Sequence, residues 1–420
     1  MKHETGTEDS GAPSTGGPDA SLSSRSVTLF ALIYFASIPV DILPVFGGRT
    51  ATPVTAFLLL IFWMIDQIRR PDNLSIPRLA VLALWAYCSW ATVSLFWVFN
   101  QAQGLDALLR IISLLPLTVV LCSILPRLWL KALMTLGAST TVLAWIVLQQ
   151  PADVYRAGRA SIGSIDENVT ALVLSVGLAA LVHVALTVRG LPIVATTIAA
   201  VITAGAIVHT GSRSGFIALI AVLATTVMQS VARSRPSPKL LVGSLLCVLI
   251  ALITFDYLGK NGQIPPRLLD MFTSKSGVDD SGRASILDLY LRTIDQWFLF
   301  GVGYGDDAIF LQRTAGQYLN AHNLFWKTWI ELGIPGLVFL GGLFASLVVN
   351  LKRSVEASAL LKMAGPILVF AYTLGGAQTS AFWFVIAFGL ARAPLTGVDG
   401  PAIFAGHEPL PRRSSPVDRG

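Results

Sequence analysis

The sequence predicts an all-α, polytopic integral membrane protein with about twelve transmembrane helices and one large periplasmic loop. Of its 420 residues, 54% are hydrophobic and only 13% are charged, and the mean hydropathy is +0.67. A soluble domain has about a quarter of its residues charged, so this composition excludes that class. Apolar runs close to the ~20 residues that cross a ~30 Å hydrocarbon layer recur along the chain. They are residues 27–46, 51–68, 79–99, 105–125, 128–149, 167–188, 191–210, 214–232, 240–258, 334–350, 359–376 and 378–395.

The two ends of the chain are polar. Residues 1–25 are rich in Gly, Ser, Thr, Pro, Asp and Glu, which predicts a disordered cytoplasmic tail rather than a cleavable signal peptide. Residues 26–396 form the predicted transmembrane domain and residues 397–420 a second cytoplasmic tail. The last two apolar runs are separated by Gly375-Gly376, and a re-entrant pair is the alternative to two spans there.

The basic residues orient the predicted bundle. With the N-terminus in the cytoplasm, twelve Lys and Arg residues fall in short inner loops and four in short outer loops. The twelve are Arg69, Arg70, Arg78, Arg127, Lys131, Arg189, Arg233, Arg235, Lys239, Lys352, Arg353 and Lys362; the four are Arg49, Arg156, Arg159 and Arg213. Because Lys and Arg are enriched in cytoplasmic loops, both termini are predicted to be cytoplasmic.

Charge and cysteine content narrow the function classes. The net charge of +6 is explained by membrane topology and anion binding rather than by a nucleic-acid partner. The three cysteines, Cys88, Cys122 and Cys247, each lie in an apolar run. They therefore indicate neither a disulfide framework nor a thiolate metal site.

Residues 259–331 are the one long polar insertion, and they are predicted to be periplasmic. Six cations lie between Lys260 and Arg313, on the side where positive charge is disfavoured. Two explanations remain open: an anionic ligand at the outer leaflet, or ion pairs with nearby acids. The acids are Asp256, Asp270, Asp279, Asp280, Asp288, Asp295, Asp306 and Asp307.

Arg213 lies in the sequence Gly211-Ser212-Arg213-Ser214-Gly215, which joins two predicted spans. Its small residues allow backbone N–H groups at a helix N-terminus to face an anion, with the helix dipole in support. An interfacial turn with a snorkelling arginine is the alternative. The flanking glycines and serines favour an anion-binding site that contains Arg213.

Arg283 opens an amphipathic segment in which Asp288 and Arg292 are placed for an i,i+4 ion pair. Its apolar residues at helical spacing are Ile286, Leu289, Tyr290, Ile294 and Trp297. Such a helix is expected to lie on the membrane surface. The following Gly301-Val302-Gly303-Tyr304-Gly305 lacks the context of a dinucleotide site and predicts a tight turn.

His322 begins a predicted helical run to Asn350 that would be ~45 Å long and that Gly333-Ile334-Pro335-Gly336 interrupts. The first half is expected to project outward, with His322 at its tip and Trp326 and Trp329 near the same face. A lone histidine is more often structural than catalytic. Its polar location beside several cations, with no carboxylate cluster, favours a neutral general base here.

These motifs resemble the O-antigen ligase and polymerase superfamily over roughly residues 150–350. The resemblance rests on the order, spacing and topological side of Gly211–Gly215, Gly282-Arg283, Phe300–Gly305, Ala321–Phe325 and Glu331–Leu337. Each motif alone is weak, but the combination is fairly specific.

The resemblance implies a metal-independent, inverting glycosyltransferase without a cofactor at the periplasmic face of the bacterial inner membrane. Its donor would be undecaprenyl-diphosphate-linked glycan, and its acceptor a saccharide on lipid A core or on a lipid-linked repeat unit. By matched position, Arg213 and Arg283 would hold the diphosphate and His322 would take the proton from the acceptor hydroxyl. Ser212, Ser214 and Asn323, which belong to the same motifs, are expected to contact substrate beside them.

Three further residues are candidate substrate ligands. Relatives often have Asn-Pro-Asn where this chain has Asp166-Glu167-Asn168, so only Asn168 is carried over. Arg159, shortly before it, is expected to add anion or sugar contacts. Arg110 lies inside an apolar run near its outer end, from which it could snorkel or reach a lipid phosphate.

Two alternatives remain. The sequence does not separate a ligase from a polymerase of O-antigen or exopolysaccharide. A secondary transporter for an anionic solute is favoured by Arg110 within the membrane, but neither an internal repeat nor a midplane carboxylate supports it.

Overall fold

The structure, a computed structural model, describes residues 18–41, 43, 50–69, 77–150, 166–188, 191–232, 268, 283–374 and 379–392. In this part of the chain the elements are α1 (Pro18–Val40), α2 (Thr52–Arg69), α3 (Arg78–Ser94), α4 (Gln101–Leu148), α5 (Glu167–Thr187), α6 (Leu191–His209), α7 (Arg213–Val231), α8 (Arg283–Leu291), α9 (Ile294–Trp297), α10 (Asp307–Ala315), α11 (Leu324–Asn350), a 3-10 helix (Leu351–Arg353), α12 (Ala357–Thr373) and α13 (Ser380–Leu390). No strand occurs among these residues, so the predicted all-α class is confirmed.

Five of these segments are long and apolar enough to cross a membrane: Thr52–Arg69, Gln101–Leu148, Glu167–Thr187, Arg213–Val231 and Leu324–Arg353. Four shorter apolar helices accompany them: Arg25–Val40, Ile193–His209, Ala357–Thr373 and Ser380–Leu390. The apolar helices indicate an integral membrane protein. The count of twelve spans and the periplasmic side of the polar loop stay predictions, and the predicted span 240–258 lies outside the described residues.

Helix α4 differs from the sequence prediction. Residues 105–125 and 128–149 were expected to be separate spans, but one continuous helix of 48 residues contains both. Such a helix would be ~72 Å long if straight. Pro116 and Pro126 lie inside it, and proline is the usual cause of a sharp bend in a long helix. The Pro126-Arg127 pair therefore marks a position inside a helix rather than a loop.

Helix α5 lies in the core of the bundle and contacts α4, α6, α7 and α12. Small residues bring it close to α4: a Cβ on Gly177 would lie 2.1 Å from Thr140 Oγ1, and one on Gly137 would lie 2.7 Å from a Leu181 methyl. Packing of this kind holds helices together in lipid, where burial of apolar surface gives no drive for association. The start of α7 packs against α5, which is itself closely packed on α4.

The last two helices are shorter than the runs predicted at 359–376 and 378–395. Helix α13 has 11 residues, ~17 Å of helix, against a ~30 Å hydrocarbon layer. Its end returns to the start of α12, because Val355 N donates to Ala391 O at 3.0 Å. The two helices therefore run antiparallel, which both the two-span and the re-entrant predictions allow.

The orientation can be tested with two exposed positions. Tyr318, between α10 and α11, and Lys352, in the 3-10 helix, are both exposed. With Cys247 replaced by serine and the buried Cys88 and Cys122 retained, we expect Tyr318→Cys in intact cells to react with a membrane-impermeant thiol reagent reaching the periplasm. Lys352→Cys should react only after permeabilisation. Reversed labelling would place the polar segment in the cytoplasm.

Candidate active site

The backbone places Arg213 in the first turn of α7. Gly211 has a φ of +67°, a conformation that favours glycine, and the chain turns there between α6 and α7. Ser212 caps the helix, because its Oγ accepts a hydrogen bond from Gly215 N at 3.1 Å. Ser212 and Ser214 are buried, whereas Arg213 is half-buried. The predicted helix start with an arginine is present, and the Ser212 hydroxyl serves the helix itself.

Ser212 also joins α7 to the start of α5. Its Oγ donates to Asn168 Oδ1 at 2.8 Å, and Asn168 N donates to Asp166 Oδ1, the N-cap of α5, at 2.7 Å. Two helix N-termini therefore meet at this hydrogen bond. Asn168 lies beside Ser212 and next to the base of Arg213, although the residues preceding it depart from the family pattern.

The other basic residues predicted to bind substrate are Arg110, Arg159 and Arg283. Arg110 Nη2 lies 2.7 Å from Asp106 Oδ2, with both side chains more than half exposed. The feature that favoured a transporter is thus part of an exposed i,i+4 ion pair. Arg283 opens α8, but its side chain and all of Arg159 lie outside the described residues.

The polar segment has its own hydrophobic core. Its buried members are Tyr290, Trp297, Val302, Phe310, Leu311, Ala321 and Ile330. The Tyr290 and Phe310 rings stack at 6.5 Å, and Trp297 packs edge-on against Trp329 at 5.5 Å. The predicted helix at α8 and its Asp288–Arg292 ion pair at 2.6 Å are confirmed. Its apolar residues belong to this core and are covered by protein, while its expected position at the membrane surface stays a prediction.

The glycine turn after α9 docks on a kink in α11. Gly333 has φ +65° and ψ −159° inside the helix, which confirms the predicted interruption. Pro335 has no N–H to give to Glu331 O, and Gly303 N donates to that oxygen instead, at 2.9 Å. The displaced Ile334 N donates to Leu299 O at 3.1 Å. The turn therefore satisfies backbone groups that the kink releases.

Because this contact is backbone to backbone, Gly333→Ala should be strongly destabilising. A Cβ at Gly333 would lie 2.2 Å from Leu299 O, and a left-handed residue adds a further cost, for a total of about 2–5 kcal/mol. Gly341→Ala is the matched control, since a Cβ there meets nothing within 4 Å. Chemical denaturation of both variants in one detergent would measure the difference. Equal stability would show that the kink tolerates a side chain.

A buried ion triad links the starts of α10 and α11. Lys327 Nζ lies 2.6 Å from Asp307 Oδ1 and 2.7 Å from Glu331 Oε1. The Asp307 and Glu331 side chains are 1% and 2% exposed and that of Lys327 is 16% exposed. Buried charges require partners, and the lysine supplies one to each carboxylate. The triad thus fixes the two helices beside the segment that contains His322.

Tyr290 bonds the backbone at the start of α10 and in the segment before His322. Its hydroxyl lies 3.0 Å from Asp307 O and 3.1 Å from Leu319 O. Burial, and then the charge of Asp307, raises the pKa of Tyr290 well above the ordinary value for tyrosine. The phenol therefore remains a neutral hydrogen-bond donor and ties the residues before His322 to α10.

His322 is exposed between two residues with fixed backbones. Ala321 N donates to Asp307 Oδ2 at 2.9 Å, and Asn323 caps α11, with Oδ1 accepting from Phe325 N at 2.9 Å. The histidine is therefore held at a surface by rigid elements, which is where a general base can reach a substrate hydroxyl. Since the cap uses the Asn323 oxygen, only its NH₂ group is left for a ligand.

Two buried carboxylates lie close to the segment that contains His322. Asp307 and Glu331 both lie in the triad behind it, and neither was a candidate. The i,i+4 spacing of Lys327 and Glu331 was a usable signal. Asp307 was hidden because it is twenty residues from Lys327 along the chain and they meet only in the tertiary structure.

Asp306 and Asp307 are adjacent but serve different partners. The Asp306 carboxylate accepts hydrogen bonds from Phe99 N and Asn100 N. Burial raises the pKa of Asp306 above the ordinary value, while those hydrogen bonds and the charge of Arg313 act in the opposite direction. Within the described residues, no group of three or more His, Cys, Asp or Glu side chains could hold a metal ion. Metal independence stays a prediction.

These features define an all-α integral membrane protein that presents an exposed histidine on a rigid polar segment and an arginine at a helix start. Residues 198–341, about a third of the chain, match the family described as O-Antigen ligase. The matched range contains Arg213, Arg283 and His322, and it confirms the resemblance to the O-antigen ligase and polymerase superfamily. No curated protein was found to match the chain.

Proposed function

We propose that the protein transfers glycan from an undecaprenyl-diphosphate-linked donor to an acceptor hydroxyl at the periplasmic face of the inner membrane, as an O-antigen ligase acting on lipid A core. The observation that carries the proposal is the family match over 198–341, which includes the segment that presents His322. The exposure of His322 between Ala321 and Asn323 supports its assignment as the base.

The reaction requires a base for the acceptor hydroxyl and positive charge for the leaving diphosphate. The acceptor oxygen attacks the anomeric carbon, the bond from that carbon to the diphosphate breaks, and the configuration inverts. His322 takes the acceptor proton, while Arg213 and Arg283 stabilise the negative charge of the leaving diphosphate by charge-assisted hydrogen bonds. These two guanidiniums take the place of a metal ion. Ser212, Ser214, Asn168, Arg159, Arg110 and Asn323 are the proposed substrate-binding residues.

A polymerase that joins lipid-linked repeat units is the second candidate, because the same residues and the same family match fit it equally. A deletion strain separates the two. Full-length chains left on undecaprenyl diphosphate would indicate a ligase, whereas single repeat units would indicate a polymerase. Purified protein should transfer glycan in the presence of EDTA. Solute uptake into liposomes without any glycan transfer would instead revive the transporter.

Arginine geometry provides a separate test of donor binding. Arg213→Lys and Arg283→Lys keep the charge but lose the planar fork that grips two oxygens. We expect donor affinity to fall about 10–100-fold, which corresponds to a hydrogen bond to a charged group. Arg292→Lys is the control, because Arg292 pairs with Asp288 in an exposed i,i+4 pair. Unchanged donor affinity and rate would remove the variant arginine from the diphosphate site.

A further inference from the structure

An open pocket of about 780 Å³ lies between the connection from α3 to α4 and the outer side of α10. It is lined by Val98, Phe99, Asn100, Gln101, Ile309, Gln312 and Arg313. Its volume is within the range of ~300–1,000 Å³ that is usual for small-molecule sites. Among the described candidates for donor binding and catalysis, neither Arg213 nor His322 is one of its lining residues.

The pocket has one fixed cation. The Arg313 guanidinium carbon lies 4.4 Å from the Phe99 ring centroid, and Phe99 stacks on Phe310 at 6.4 Å. A guanidinium held over an aromatic ring is pre-organised. In the described part of the chain, no carboxylate forms an ion pair with Arg313. Its charge acts on the nearby Asp306 carboxyl, but among the described residues its donors are not used in an ion pair.

The remaining lining fits a hydroxyl-rich ligand. Gln101 and Gln312 bring amide groups that both donate and accept, as sugar hydroxyls do. Asn100 Oδ1 caps α4 by accepting from Gln103 N, which leaves the Asn100 NH₂ group as a donor. Val98 and Ile309 offer apolar contact for C–H surfaces. The wall is rigid on one side, because the buried Asp306 carboxylate accepts hydrogen bonds from the backbone N–H groups at positions 99 and 100. No carboxylate is among the described residues that line the pocket, which disfavours a cationic ligand.

We propose that this pocket is the acceptor-saccharide subsite, an assignment that rests on the proposed glycan transfer. The connecting element is α10. Its outer side provides Ile309, Gln312 and Arg313, while its first residue, Asp307, bonds Ala321 N immediately before His322. A saccharide in the pocket is thus bound on the same rigid helix that positions the base for its hydroxyl.

The test uses the full-length protein with two probes. Donor and acceptor lipids purified from cells that lack the protein serve for transfer kinetics, and a fluorescent oligosaccharide, released by mild acid from the surface glycan of the same cells, serves for binding. Gln312→Trp fills the pocket and Arg313→Met removes its cation. Thr314→Trp, exposed on the same helix but outside the pocket, and Arg292→Met are the matched controls, and all variants are compared for thermal unfolding.

We expect the two pocket variants to weaken oligosaccharide binding and to raise the acceptor KM about tenfold or more, with donor KM and kcat unchanged. The controls should match the parental protein. If the parental protein transfers glycan and both pocket variants keep its acceptor KM, the subsite is overturned but the proposed function is not. If the pocket variants weaken oligosaccharide binding but neither they nor the parental protein transfers glycan, the saccharide site is retained and the proposed function is overturned. Neither binding nor transfer would overturn both.

Discussion

Replacement of His322 by alanine is expected to slow glycan transfer about 10²–10⁴-fold, the usual range for loss of general acid–base help. Donor binding should remain near the parental value, because the proposed diphosphate ligands are arginines. The backbone around the position should also remain in place, since Asp307 holds Ala321 N and Asn323 caps α11. Single-turnover rates and donor affinity, measured on the same purified variant, would separate the chemical step from binding.

Two companion variants sharpen this prediction. His322→Gln keeps hydrogen-bonding groups but cannot accept a proton at neutral pH, so it should be as slow as the alanine variant. Tyr318→Ala, exposed shortly before the same segment, should transfer at the parental rate. A His322→Gln protein with parental activity would show that the residue only forms hydrogen bonds, and parental activity in His322→Ala would make the histidine structural.

Local patterns predicted local structure well. The i,i+4 spacing of Asp288 and Arg292 predicted their ion pair, and the glycine and proline at 333 and 335 predicted the kink in α11. Both features are determined within one or two helical turns. The ion pair depends on the reach of two side chains, and the kink depends on the N–H that proline lacks. The helix start predicted at Arg213 is local too, since the Ser212 hydroxyl that caps it bonds a residue three positions away, although the cap itself was not predicted.

Features that depend on distant parts of the chain could not be predicted in this way. The apolar face at α8 has the pattern of a membrane-surface helix, and the pattern alone does not say whether lipid or protein covers it. The hydrogen bond from Ser212 to Asn168 spans 44 positions. The break expected near Pro126 failed for a different reason: a proline and an arginine between apolar runs are equally compatible with a loop and with a bent helix.

The largest expected loss of stability follows from Lys327→Met. Lys327 Nζ is the shared partner of Asp307 and Glu331, whose side chains are only 1% and 2% exposed. Its removal leaves two buried carboxylates facing each other without a cation, and breaking a buried pair in this way costs about 3–5 kcal/mol. Chemical denaturation in detergent would measure the free energy of unfolding. Arg292→Met is the matched control, because its exposed pair with Asp288 is worth only about 0.5 kcal/mol.

A second substitution separates the effect of unpaired buried carboxyls on stability from the effect of lost packing. Lys327→Met combined with Glu331→Gln removes one of the two buried carboxyls that are left without a cation, so it should be more stable than Lys327→Met alone. Packing is nearly the same in both proteins, whereas buried charge is not. If the double variant is no more stable than the single variant, the loss arises from the missing lysine stem rather than from charge. If Lys327→Met is as stable as Arg292→Met, the buried carboxyls do not depend on the lysine, and the triad does not hold α10 against α11.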